Sequence, residues 1–288
     1  MVLIRFFEER VLELFGRGRL FGTTHCCIGQ EAGAVAVMDN LQENDIIVSN
    51  HRCHGHYLAR TEDVPGLMAE LMGKSGGVCS GRGGSQHLCN GNFYTNGVQG
   101  NMVPVAAGMA LAEKKKGTDS IVALFIGDGT FGQGVVYETF NVISLWRLPV
   151  LVIVENNLYA QTTPITVNFA GSFSGRAKAF GLSAGESQAD DVISLRRRFI
   201  EVVRAVRLRS CPHVEVIHTY RFCSHSKGDD FRSQREIEFW RQRDPLKKLE
   251  EQIPPGLQLK LKEKANEKIE QAIAEAENMA FANLNEDS

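Results

Sequence analysis

Two apolar, β-branched runs separated by one helix-length segment constrain this chain more than any other feature. Ile121-Val122-Ala123-Leu124-Phe125-Ile126, within a run over 120–126, and Val150-Leu151-Val152-Ile153-Val154 both read as buried strands. Residues 133–146 between them are long enough for one helix, and Pro149 marks its exit. Strand, helix and strand over about thirty residues predict a parallel βαβ unit with a right-handed crossover. The first strand runs into Gly127-Asp128-Gly129 and the second into Asn156-Asn157. In an open α/β sheet these loops lie side by side at the carboxyl ends of neighbouring strands, where such sheets bind ligands. Asp128 offers a carboxylate and Asn157 an amide carbonyl. Both are hard oxygen ligands of the kind that magnesium takes together with phosphate oxygens and water.

The rest of the chain extends this pattern. Residues 3–15, 30–38, 64–72, 104–116, 177–181, 191–208, 234–241 and 257–283 read as helices, and 45–49 and 214–219 as further strands. Residues 73–101 form a glycine-rich stretch longer than an ordinary connection, which points to a functional loop. Four strands are each followed by residues that handle charge: His51, Arg52 and His54; Asp128; Asn157; His225. In a parallel sheet these loops share one rim, as a ligand site requires. No internal repeat or low-complexity linker divides the chain.

Composition excludes several classes. A net charge of −2 over 288 residues offers no general attraction to nucleic acid or anionic lipid. No apolar run approaches the roughly 18 residues needed to span a bilayer. Lys114-Lys115-Lys116 and Arg196-Arg197-Arg198 read as solvated helix faces. Seven cysteines in irregular spacing, with no C-x-x-C and no legible targeting segment, point to reduced thiols and a cytoplasmic protein. His51, Cys53, His54 and His56 are too compact to supply four zinc ligands from one loop. No G-x-G-x-x-G opens a helix after an early strand, which argues against a nicotinamide dehydrogenase.

Several further motifs narrow the reading: Gly81-Arg82-Gly83-Gly84-Ser85-Gln86-His87-Leu88, then Asn92-Phe93-Tyr94, then Gly132-Gln133-Gly134 with Glu138 and Asn141, then Glu155-Asn156-Asn157-Leu158-Tyr159. Together they resemble the alpha subunit of the thiamine-diphosphate-dependent decarboxylating component of 2-oxo acid dehydrogenase complexes. Pyruvate and acetoin dehydrogenases are the most similar branch. The resemblance runs from about Leu3 to Pro245 and is weak over 172–212 and in the final helix. It implies an α/β, thiamine-diphosphate-binding fold with a parallel sheet flanked by helices on both faces. It also implies one domain over 1–288, with a helical extension from about 233.

The resemblance also implies roles. Asp128 and Asn157 would hold magnesium through their side chains and Tyr159 through its backbone carbonyl. Arg52 and His225 would contact the diphosphate or line its mouth. Gly97 and Gln99 would meet the aminopyrimidine, and Gly129 and Thr130 would lie over the diphosphate. His54 would act near the reacting carbon, with His225 the second catalytic histidine; capping of local backbone is the plainer reading of His54 and His56. His51 stands where many relatives have tyrosine. Cys223-Ser224 replaces a histidine–glycine pair. Ser226 occupies a position phosphorylated in some animal relatives. Arg221 and Arg232 read as structural ion-pairing residues, and Glu31 as structural at a subunit contact. The glutamate that activates the aminopyrimidine has no match here, and in two-chain relatives a beta subunit supplies it. The expected enzyme is therefore an alpha2-beta2 assembly passing an acetyl group from pyruvate to a lipoyl-bearing acyltransferase. Acetoin is the alternative substrate, and a non-catalytic scaffold subunit is the alternative of another class.

Overall fold

The structure is a computed structural model that describes residues 1–20, 22–226, 228 and 230–283. The elements in order are α1 (Val2–Gly16), α2 (Glu31–Met38), β1 (Ile46–Ser49), α3 (His54–Thr61), α4 (Val64–Leu71), β2 (Cys89–Asn90), β3 (Phe93–Thr95), α5 (Met102–Lys116) and β4 (Val122–Gly127). A short 3-10 turn, Thr130–Gly132, follows. The second half holds α6 (Gly134–Leu145), β5 (Val150–Asn156), β6 (Tyr159–Ala160), β7 (Thr163–Pro164), α7 (Ile165–Asn168), α8 (Phe173–Ala179), β8 (Ser183–Gln188), α9 (Val192–Arg209), β9 (His213–His218), α10 (Gln234–Arg241), α11 (Pro245–Glu250) and α12 (Pro255–Asn278). No described helix is long and apolar enough to cross a membrane.

Seven strands form one sheet in the order β2-β3-β1-β4-β5-β9-β8, parallel except for the β2–β3 pair. The predicted βαβ unit is its centre: β4 and β5 pair in parallel register from Val122↔Val150 to Gly127↔Glu155. The side-chain alternation of these strands divides the core in two. Ala123, Phe125, Leu151 and Ile153 face a layer made by α1, α2, α3, α4, α9 and α12. Val122, Leu124, Ile126, Val150, Val152 and Val154 face α5, α6 and α8. A strand covered on both faces needs an unbroken apolar run, as parallel sheets show generally. That is why these two strands are the most legible in the sequence.

The structure adds elements that the residue pattern did not predict. Residues 54–61 are helical, so His54 and His56 sit on α3 and not in a loop. The stretch 73–101 contains β2 and β3, and β3 pairs with β1. The last helix ends at Asn278, and residues 284–288 lie outside the described residues. α12 packs Ala265, Ile269, Ala272, Ile273 and Ala276 against the chain, most of them in the core cluster that α1 shares.

The glycine-rich stretch is organised by one buried carboxylate. Glu70 on α4 is 1 % exposed and accepts four backbone N–H groups, from Cys79 (2.6 Å), Gly81 (2.9 Å), Gly83 (2.7 Å) and Gly84 (2.9 Å). Without it these partly covered donors would have to turn to water.

A second buried ionic group ties distant segments together. Arg5 on α1 donates to Glu31 at the start of α2 (3.0 Å) and to Asp244 before α11 (2.8 Å), and Glu31 also accepts the Gly29 N–H. Glu31 thus has a structural role within the chain. Arg5→Met would leave two buried carboxylates facing each other without a cation. Breaking such a group costs about 4 kcal/mol. Urea unfolding should show a loss of that order, and a loss below about 1 kcal/mol would deny the group its structural weight.

Candidate active site

The rim of the sheet at β1, β4, β5 and β9 gathers the predicted loops. Asp128 follows β4 and is 2 % exposed. Its carboxylate accepts the N–H of Gly129 (2.6 Å) and of Asn157 (3.1 Å), so the two strand-end loops are bonded to each other. Burial raises the Asp128 pKa, and these backbone bonds and Arg52 only partly oppose it. A carboxylate in that position gains from a cation beside it.

The second loop is shaped to present oxygen atoms. Asn157 Oδ1 accepts the Tyr159 N–H at 3.2 Å. Between them Leu158 has φ +72°, in the left-handed region that non-glycine residues seldom adopt. Such strain clusters at functional sites. The Tyr159 hydroxyl turns to Glu236 on α10 (2.9 Å), which leaves its backbone as the part available to a ligand. Gly129 has no room for a side chain, since a Cβ there would lie 2.5 Å from that of Ala160.

Arg52 is the buried cation of the site, 4 % exposed. It donates to the carbonyl of Cys26 (2.7 Å) and to His225 Nδ1 (3.0 Å). These partners are neutral, so the guanidinium keeps its charge for an anion. Arg52 only donates, so the Nδ1 of His225 accepts, and the ring proton lies on Nε2.

Three histidines from separate segments converge here. His25 lies 4.7 Å from His51 and 4.6 Å from His225, ring centre to ring centre, and their ligand nitrogens all fall within 4.8 Å of one another. Gln86 of the glycine-rich stretch holds His25 Nδ1 at 2.8 Å. Both ring nitrogens of His51 are buried without a hydrogen-bond partner. Burial, then Arg52 and the two other histidines, hold the His51 pKa well below the usual histidine value. Gln99 acts on the ring in the opposite direction but does not outweigh them, so His51 stays neutral at neutral pH. With its proton fixed on Nε2, His225 gives its Nδ1 lone pair to the Arg52 guanidinium.

His25 was not singled out by the sequence reading. The signal was present, since it is the one histidine in the loop over 22–29. What brings it to the rim is Gly29, whose φ is +95° and where a Cβ would sit 2.4 Å from the Tyr220 carbonyl. That close approach lays the His25 loop against the His225 loop, and Phe222 N–H donates to Ile28 O at 2.9 Å across it.

His54 has a different setting from the substrate-facing one expected. It is fully buried, with Nδ1 at 3.0 Å from Glu8 and Nε2 at 2.9 Å from the Ser85 hydroxyl. Glu8 also accepts the Cys27 N–H at 2.8 Å. Burial acts to raise the Glu8 pKa, but His54 and these hydrogen bonds outweigh it, and the net direction is down. His56 is likewise engaged, by Ser49 (2.8 Å) and Glu155 (3.3 Å), and Glu155 accepts from Asn50 at 2.6 Å. The Cys53 thiol donates to Ser85 O, so His51, Cys53, His54 and His56 are not drawn into one ligand set.

The remaining predicted residues frame the mouth. Gln99 donates to the carbonyls of Asn96 (2.7 Å) and Gly97 (3.3 Å). A Cβ at Gly97 would meet Gln86 Oε1 at 2.4 Å. Thr130 is buried in the 3-10 turn beside Asp128. Arg232 pairs with Asp230 and donates to Arg221 O (2.6 Å), which supports the fold of the His225 loop.

The dehydrogenase E1 component family model matches residues 1–285. The chain belongs to this family. It is similar to the pyruvate dehydrogenase E1 component subunit alpha of Rhizobium meliloti (strain 1021), 37 % identical over 260 residues, covering 88 % of this chain and 75 % of that protein. It is similar also to the Rickettsia bellii (strain RML369-C) protein of the same name, 35 % identical over 298 residues, 99 % of this chain and 91 % of that one. The alpha subunit of acetoin:2,6-dichlorophenolindophenol oxidoreductase from Bacillus subtilis (strain 168) is 37 % identical over 233 residues, 80 % of this chain and 70 % of that protein. An E1 component works with thiamine diphosphate, and an alpha subunit implies a beta partner. The residues gathered at this rim fit that cofactor. A buried guanidinium with neutral partners suits a diphosphate, and the orphaned His51 ring leaves polar atoms for a ligand to satisfy.

Proposed function

We propose that this chain is the alpha subunit of a pyruvate dehydrogenase E1 enzyme, working in the cytoplasm as an alpha2-beta2 assembly that acetylates a lipoyl-bearing acyltransferase. The observation that carries the reading is the Asp128–Asn157 pair, bonded loop to loop beside the buried Arg52. Asp128, Asn157 and the Tyr159 carbonyl would hold magnesium, and Arg52, His51, His225, Gly129 and Thr130 would take the diphosphate. Gly97 and Gln99 would meet the aminopyrimidine. Seven free thiols suit a reducing compartment.

Thiamine diphosphate supplies, when bound, an acidic thiazolium carbon and an electron sink for decarboxylation. The chain's residues bind, orient and move protons around it. Arg52 would neutralise phosphate charge, and it fixes the proton of His225 on Nε2, so that nitrogen is a hydrogen-bond donor. His25, held by Gln86, would exchange a proton with the substrate. His54 acts one remove from the substrate. Through Glu8 it holds the backbone at Cys27, and through Ser85 the segment bearing Gln86, so it positions His25 from both sides. The activating glutamate would come from the beta subunit.

Acetoin is the second reading, favoured by the likeness to the Bacillus subtilis protein. Reductive acylation of a lipoyl domain by the chain assembled with its beta subunit decides between them. We expect pyruvate to be used best, acetoin less well and branched-chain 2-oxo acids least, with no turnover by the chain alone. Preference for a branched-chain acid, or strong turnover by the single chain, would overturn the proposal.

A further inference from the structure

Glu155 lies near the end of β5, two residues before Asn157, and is buried. Both of its oxygens are engaged. Oε2 accepts from Asn50 Nδ2 at 2.6 Å, and Oε1 accepts from His56 Nε2 at 3.3 Å. Asn50 directly follows β1, and His56 Nδ1 meets the hydroxyl of Ser49, the last residue of β1, at 2.8 Å. The His56 ring packs on Phe125 of β4, centre to centre at 3.9 Å. One carboxylate on β5 therefore reaches the end of β1, although β4 lies between the two strands. Burial acts to raise the Glu155 pKa, but His56, Asn50 and Arg52 outweigh it and the net direction is down. Glu155 is thus ionised at neutral pH, and an ionised carboxylate only accepts hydrogen bonds. That fixes the orientation of the Asn50 amide. Its NH2 group turns to Glu155, and its Oδ1 accepts the Arg52 N–H at 2.8 Å.

We infer that Glu155 is a positioning residue for the cofactor site, which through Asn50 fixes the turn bearing His51 and Arg52 against the loop bearing Asn157. The effect on the cofactor rests on the proposed function, in which Arg52 meets the diphosphate; the hydrogen-bonded tie does not. The guanidinium donates to groups on two other loops, the Cys26 carbonyl (2.7 Å) and His225 Nδ1 (3.0 Å). It holds both only while the backbone that carries it is fixed, and the Asn50 amide is what fixes the Arg52 N–H. At the other end of the tie, Asn157 follows on the same chain segment and is bonded to Asp128 through its N–H (3.1 Å). Glu155 thereby links the turn proposed for the diphosphate to the loop proposed for magnesium. Both ends depend on one buried acceptor, so removing it leaves Asn50 free to rotate and the Arg52 turn without its anchor.

The test is calorimetry of thiamine diphosphate with magnesium on the enzyme assembled with its beta subunit. Glu155→Ala and Asn50→Ala should each weaken binding by about tenfold. Glu155→Gln should recover most of that loss. Its amide keeps one oxygen for Asn50, and the His56 ring can meet the new NH2 group by carrying its proton on Nδ1, toward the Ser49 hydroxyl. In an Arg52→Met background, Glu155→Ala should weaken binding by less than about twofold further, because the residue it positions is gone. A general loss of structure would instead add to the Arg52→Met effect. The inference is overturned if Glu155→Ala acts as strongly in that background as alone, if Glu155→Gln is as damaging as Glu155→Ala, or if neither alanine variant changes affinity. Should Glu155→Ala not fold, Asn50→Ala, which keeps the carboxylate and its His56 partner, reads the same cycle with Arg52→Met. Wild-type enzyme that bound no thiamine diphosphate would sink the proposed function. Hydrogen exchange at the Arg52 amide then decides the tie alone: it should quicken in both alanine variants, and unchanged exchange would overturn the inference.

Discussion

Asp128→Ala in the assembled enzyme should lower magnesium-dependent affinity for thiamine diphosphate by at least about 100-fold, or about 2.7 kcal/mol. Asp128 is a buried carboxylate whose own pKa is raised by burial, so the folded chain holds it at some cost unless a cation is present. Its two oxygens also bond the loops after β4 and β5 through Gly129 and Asn157 N–H groups. Removing it takes away the proposed metal ligand and the tie between the loops after β4 and β5. The global fold should persist, because the apolar faces of β4 and β5 are untouched. Calorimetry with and without magnesium measures the loss, and far-ultraviolet circular dichroism checks the fold. Unchanged cofactor affinity would remove Asp128 from the metal site.

Glu70→Ala should have the largest effect on the glycine-rich stretch, and through it on the active site. Four backbone donors, at Cys79, Gly81, Gly83 and Gly84, share its two oxygens. Each buried donor left without a partner costs roughly 1–3 kcal/mol. The stretch is only partly covered, so water would recover some of this, and a net loss of about 3 kcal/mol is expected. Glu70→Gln should recover part of it, because an amide keeps one oxygen acceptor and places a donor against the other N–H groups. Downstream, Ser85 holds His54 and Gln86 holds His25, so the substitution should also lower turnover. Urea unfolding and hydrogen exchange at the four amides test this. A stability change within about 0.5 kcal/mol and unaltered exchange would show that Glu70 does not organise the stretch.

The central βαβ unit was legible because β4 and β5 are buried on both faces, and burial on both faces demands an uninterrupted apolar run. Asp128 and Asn157 were legible for the same reason, since a strand end locates the loop after it. Other elements were hidden by their position in the sheet. Phe93–Thr95 is too short to show a period, and it becomes a strand only by pairing with β1. Ser183–Gln188 is an edge strand, half exposed and polar, so its sequence shows no strand signature. The stretch over 73–101 reads as loop because the partner that orders it, Glu70, lies on the preceding helix.

The histidines separate the two levels most clearly. Their number and loop placement belong to the sequence, and so does the expectation that His51, Arg52 and His225 meet a ligand. Which histidine faces the site was decided by tertiary contacts. Helix α3 turns His54 inward to Glu8 and Ser85, and the left-handed turn at Gly29 delivers His25 to the rim in a place the residue pattern did not point to. Local spacing sets which face of a helix or strand a residue occupies. It cannot set which distant loop packs against it, because that depends on close approaches such as Gly29 to Tyr220 and on buried charges that need partners from elsewhere in the chain.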